Sequence, residues 1–142
     1  MIVCDTGPLV AAFNAKDRHH RRSVDVLETH RGPLLVPSPI LTEVCYLLAS
    51  RSGPRAEAAF LRALCSGELE LVSLVAQDLE RMSELVEKYG DLPLGAADAS
   101  VVAVAERLGS VAVATIDVKH FRIVQPRHVP AFTLLPAGLF ST

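Results

Sequence analysis

The chain has no tryptophan, and aromatic residues make up 5% of its 142 positions. A stacking platform for single-stranded nucleic acid is therefore poorly supported, although Phe13, Tyr46, Phe60, Tyr89 and Phe121 can act singly. An excess of one charge is also lacking: 14 Lys and Arg stand against 16 Asp and Glu, for a formal net charge of -2. Global attraction to nucleic acid is thus excluded, and any such binding relies on local patches. No apolar run reaches the length that spans a membrane, and the N-terminus lacks the basic-then-apolar order of a secretion signal. The expectation is a soluble, cytoplasmic protein. Cys4, Cys45 and Cys65 are odd in number and sit in apolar surroundings, which reads as buried free thiols.

What is present is a 50% hydrophobic composition, enough at this length for one domain over residues 1–142 with a genuine core. Apolar periodicity alternates between strand and helix. Strands are expected over 1–4, 34–36, 69–74, 111–116 and 131–135, and helices over 9–14, around Val24 and Leu27, and over 40–49, 56–64, 77–89 and 95–108. In the helix over 77–89, Leu79, Met82, Leu85 and Val86 form the apolar stripe. Strands separated by helices imply right-handed crossovers and a mostly parallel α/β sheet covered on both faces.

Against that pattern, the acids sort by context. Asp25, Glu28, Glu57, Asp78, Glu80, Glu84, Glu87 and Glu106 lie on polar helix faces and read as solvated. Asp5, Glu43, Asp98 and Asp117 each interrupt an apolar run. Asp5 and Asp117 fall just past strand ends, and Glu43 and Asp98 in first turns of helices, so the topology brings all four to the carboxyl edge of the sheet, where ligands bind in open α/β folds. Singly, each reads as a cap or a macrodipole partner worth about 0.3–1 kcal/mol. Together they do not, because two carboxylates about 4 Å apart repel by roughly 4 kcal/mol at an effective dielectric of 20. A cation offsets that repulsion. An all-oxygen set without a Cys or His pair at zinc spacing favours Mg²⁺ or Mn²⁺ and points to phosphoryl-transfer chemistry with a metal-activated water. Thr6 and Thr115 are accessory candidates through their hydroxyls, with ordinary turn and strand roles as the alternative.

The order Asp5-Thr6 after the first strand, Glu43 in an apolar helix, Leu94-Gly95-Ala96-Ala97-Asp98-Ala99, and Thr115-Ile116-Asp117 followed by Phe121 resembles a PIN-domain ribonuclease, and more narrowly a VapC-type toxin of a toxin–antitoxin pair. The match runs over essentially the whole chain. The resemblance implies a three-layer α/β/α sandwich and a Mg²⁺- or Mn²⁺-dependent endoribonuclease with Asp5, Glu43, Asp98 and Asp117 as both catalytic and metal-binding residues. It further implies inhibition by a VapB-type antitoxin and a homodimer. Gly7 stands where many relatives carry a small hydroxyl residue or Asn, which touches only an accessory contact. The alternative is a catalytically degenerate PIN-like module that binds RNA or a protein without cutting.

Two other readings of the first motif fail on pattern. Asp-Thr-Gly also opens the catalytic turn of aspartic proteases, but those are nearly all β. A haloacid-dehalogenase-type phosphotransferase wants a second Asp two residues after the first, where this chain has Gly7. Two basic clusters remain: Arg18, His19, His20, Arg21 and Arg22 read as a solvated loop, whereas Lys119, His120, Arg122, Arg127 and His128 gain weight by following Asp117. None of the histidines is needed as a general base. The apolar hairpin with Leu47, Leu48, Phe60, Leu61 and Leu64 reads as core, with a groove for an antitoxin helix as the alternative.

Overall fold

The computed structural model describes residues 1–136. In chain order these form β1 (Ile2–Cys4), α1 (Thr6–Ala12), α2 (His20–Thr29), β2 (Leu34–Pro37), α3 (Ser38–Arg51), α4 (Pro54–Ser66), β3 (Glu70–Val72), α5 (Ala76–Lys88), α6 (Ala96–Leu108), β4 (Ala112–Ala114), α7 (Val118–Ile123) and β5 (Thr133–Leu135). The strands make one sheet in the order β3-β2-β1-β4-β5, and every pairing is parallel. All residues of β1 and β2 are buried, which requires apolar cover on both faces of the sheet. The expected three-layer α/β/α arrangement is therefore observed.

The strand order fixes where a ligand can sit. From β1 the chain moves outward to β2 and β3, then returns to the other side of β1 for β4 and β5. The reversal falls between β1 and β4, and their carboxyl ends open the crevice that such folds use for binding. The register Cys4 opposite Ala114 sets Asp5 beside Thr115, and the Asp5 amide donates to the Ala114 carbonyl at 2.8 Å.

Helix α6 explains its own composition. Residues 99–105 are buried all round, so the helix is built from Ala and Val, small enough to pack against β1, β2 and β4 and against α3 and α5 at once. Its one buried hydroxyl, on Ser100, donates to the Ala97 carbonyl at 2.6 Å. The helix stops at Gly109, whose φ of 74° is the left-handed conformation that favours glycine.

Several expectations need correction. The strand expected over 111–116 is only Ala112–Ala114, because the Thr115 side chain is engaged at the site and the chain turns into α7. The strand expected over 69–74 shortens to Glu70–Val72, at the sheet edge. Helix α7 lies within a segment read only as basic, and α3 starts two residues earlier than expected, so Glu43 occupies its second turn, not its first. Asp78 is not solvated: it is 1% exposed, accepts from Val75 N at 3.0 Å and is gripped by Arg107 Nε at 3.0 Å. Met82 and Leu85 are core, but Leu79 and Val86 are exposed on α5. Cys4 is buried as expected and Cys45 partly so, whereas Cys65 is exposed on α4. Among the described residues, no helix is long and apolar enough to cross a membrane.

Candidate metal centre

The site grows from the carboxyl ends of β1 and β4. Asp5 occupies the N-cap position of α1 without a side-chain capping bond, and is 5% exposed. Its Oδ2 accepts a hydrogen bond from the buried Thr115 hydroxyl at 2.8 Å, and that hydroxyl accepts from the Asp117 amide at 3.0 Å. Asp117 in turn caps α7 by accepting from the His120 amide. Asp98 enters from the first turn of α6, and Glu43 from α3. Asp5, Glu43, Asp98 and Asp117 all line one cleft of about 450 Å³, together with Thr6. The expected convergence at one edge is what the geometry gives.

Burial and mutual repulsion raise two of these carboxyls. Burial, then the Asp98 carboxylate, pushes the Asp5 carboxyl up to about 7, with Glu43 adding to the rise; the Thr6 N–H and the Thr115 hydroxyl oppose it. Asp98 is also raised, first by burial and then by Asp117 and Glu43, while His120 pulls it down. A divalent cation reverses both shifts by favouring the charged forms. The residues fit such an ion: the donors are carboxylate oxygens, and the buried Oγ1 of Thr6, which lines the same cleft, has no hydrogen-bond partner among the described residues.

One participant was not singled out by the sequence pattern. His120 Nδ1 lies 3.3 Å from Asp98 Oδ2 and against Asp117 Oδ2, adding a nitrogen to a donor set read as all oxygen. The signal was present as the i, i+3 spacing from Asp117, which becomes informative only if a helix starts there. The rest of that basic cluster disperses. Arg127 binds Glu84 at the surface, the ring of His128 contacts the Ser110 carbonyl at 2.6 Å, and neither lines the cleft. From the other cluster Arg18, Arg21 and Arg22 are exposed as expected, but His19 lines the cleft, as does Arg51 at the end of α3. Gly7 has a local reason: a Cβ there would meet the Ile116 Cβ at 3.2 Å, so Ile116 occupies the space a side chain at position 7 needs.

Comparison with known proteins bears on the family and the fold. The PIN domain family model matches residues 2–125. Ribonuclease VapC26 of Mycobacterium tuberculosis is 33% identical over 135 residues, which cover 95% of this chain and 100% of that protein. Among solved structures, the sarcin-ricin loop cleaving toxin VapC20 of Mycobacterium tuberculosis aligns with a TM-score of 0.74 at 23% identity, over 80% of this chain and 87% of that one. A toxin–antitoxin complex from Klebsiella pneumoniae aligns with a TM-score of 0.68 at 20% identity, over 94% of this chain and 100% of that one. At these identities the two structures speak for the fold.

Proposed function

The chain belongs to the PIN-domain family, and from that premise we propose that it is a metal-dependent endoribonuclease acting as the toxin of a type II toxin–antitoxin pair. The observation that carries the proposal is the gathering of Asp5, Glu43, Asp98 and Asp117 in one cleft at the switch point of the sheet. The 33% identity to a ribonuclease over nearly the whole chain supports the same reading.

Asp5, Glu43, Asp98 and Asp117 would hold Mg²⁺ or Mn²⁺, which when bound makes water a better nucleophile and neutralises charge building on the phosphate. The chain's own residues supply position and charge. Thr115 fixes the Asp5 carboxylate against Asp117, and the capping of α7 holds Asp117 at the rim. The buried Thr6 hydroxyl offers a donor to a water or a phosphate oxygen within the cleft. Arg51 puts positive charge on the wall of the cleft, which His19 also lines, where an RNA backbone entering an acidic site needs it.

The partners follow as part of the proposal. A VapB-type antitoxin would bind this chain; a similar fold occurs in a toxin–antitoxin complex from Klebsiella pneumoniae. On the α3 and α4 hairpin, Leu48 and Phe60 are core, which leaves the exposed Tyr46 and Leu61 as the apolar part of any partner groove. A homodimer and a cytoplasmic site of action complete the reading.

Purified protein free of antitoxin is the test. Structured RNA should be cut with Mg²⁺ or Mn²⁺, and cutting should stop with chelator and vanish in Asp5→Asn and Asp98→Asn. RNA left intact under every metal condition would favour a PIN-like module that binds without cutting.

A further inference from the structure

Asp98 and Asp117 share an unusual neighbour. His120 sits on α7, one turn after Asp117, and its Nδ1 approaches one oxygen of Asp98 and one of Asp117. The three donor atoms fall within 4.8 Å of one another. Nδ1 is shielded from solvent, with the Asp98 and Asp117 carboxylates as its polar neighbours. Within the cleft that Asp98 and Asp117 line, the buried Thr6 Oγ1 lacks a partner among the described residues, and Thr6 is 6% exposed. A buried hydroxyl without a partner in the cleft, and three donor atoms gathered at Asp98 and Asp117, point to a ligand there.

Building on the nuclease reading, we propose that His120 is itself a ligand of the divalent cation, binding through Nδ1 beside Asp98 and Asp117. The outer part of the centre is then a mixed nitrogen and oxygen site. In it the ring carries its proton on Nε2, leaving the Nδ1 lone pair for the metal. The consequence is selectivity. Carboxylate and water suit Mg²⁺, whereas an imidazole raises affinity for Mn²⁺ and for later divalent ions without comparable gain for Mg²⁺. His120 is thus the residue that tips this centre from Mg²⁺ towards Mn²⁺. The competing role is a brace, in which Nδ1–H donates to the two carboxylates and never touches the ion.

The two roles separate on RNA-free protein. Pulsed electron paramagnetic resonance of the Mn²⁺-loaded chain should show coupling to a ¹⁴N nucleus, and His120→Asn should abolish it; this assigns the nitrogen to His120 and not to His19 in the same cleft. The Asn amide retains a hydrogen-bond donor near the Nδ1 position, so a brace survives the substitution and a ligand does not. By calorimetric titration the Mn²⁺ affinity of His120→Asn should fall at least about tenfold while Mg²⁺ affinity falls less. Absence of nitrogen coupling in the unmodified chain overturns the proposal, as does an equal fall for both ions. If His120→Asn does not fold, by circular dichroism, the unmodified chain still decides through its nitrogen coupling. RNA cleavage without nitrogen coupling overturns the ligand role and leaves the nuclease reading intact. Nitrogen coupling without cleavage does the reverse.

Discussion

Thr115 ties Asp5 to Asp117: its hydroxyl donates to the Asp5 carboxylate at 2.8 Å and accepts from the Asp117 amide at 3.0 Å. One buried side chain thus sets the spacing of two acids that are far apart in sequence. Thr115→Val keeps the shape but strands both partners, so stability should fall by about 1–3 kcal/mol in denaturant melts. RNA cleavage should fall with it, and Thr115→Ser should recover most of both. Valine that cuts and melts like the unmodified protein would remove Thr115 from the site.

The Asp5 carboxyl, raised to about 7 against an ordinary value of 3.8, makes the metal-free protein sensitive to pH. A raised acid binds its proton more readily in the folded state. Its contribution to stability is therefore fully present below the ordinary carboxylate value and is lost as pH rises through about 7. The slope between those limits should reach at most about 1.4 kcal/mol per pH unit, less whatever the neighbouring acids share. Melts in chelator across this range should show the decline, and Asp5→Asn should flatten it and stabilise the protein at pH 8. Identical pH profiles for both proteins would show that Asp5 ionises freely. Added Mn²⁺ should restore stability at pH 8 in the unmodified chain but not in the variant.

The candidate site was legible where an acid broke an apolar run. Asp5 and Asp98 stand out beside Ile2–Cys4 and beside the buried Ala and Val of α6, because a charge in such a setting is expensive unless it has a purpose. Asp117 stood out for the same reason, but the helix it caps did not. Only Val118 and Phe121 of α7 are buried, too few positions to set up a period. Without that helix, His120 cannot be placed against Asp98. The burial of Asp78 was invisible for a different reason. Its partner Arg107 is 29 residues away, and each looks like an ordinary polar-face residue until α5 and α6 are packed together. Alternation of strands and helices gave the α/β class, whereas the order β3-β2-β1-β4-β5 depends on tertiary packing that no local pattern records.

That Asp78 and Arg107 pair should matter to stability and not to the site. Asp78 is 1% exposed, and Arg107 also reaches the Ser73 carbonyl at 3.2 Å, closing the end of α6 opposite Asp98. Arg107→Ala leaves a buried carboxylate without its counter-charge and should destabilise the fold by about 3 kcal/mol, the scale for breaking a buried pair. Mn²⁺ affinity of the folded fraction should be unchanged. A variant that melts normally, or that loses metal with its fold intact, would contradict this division.

The central claim is that four carboxylates carried by separate elements act as one metal centre. Its most direct measurement is calorimetric titration of Mn²⁺ into the unmodified chain and into Asp5→Asn, Glu43→Gln, Asp98→Asn and Asp117→Asn, each checked for folding. The account predicts binding by the unmodified chain and loss of about tenfold or more in affinity in every variant, since each removes a ligand from the same site. Four variants that bind Mn²⁺ as tightly as the unmodified chain would contradict it.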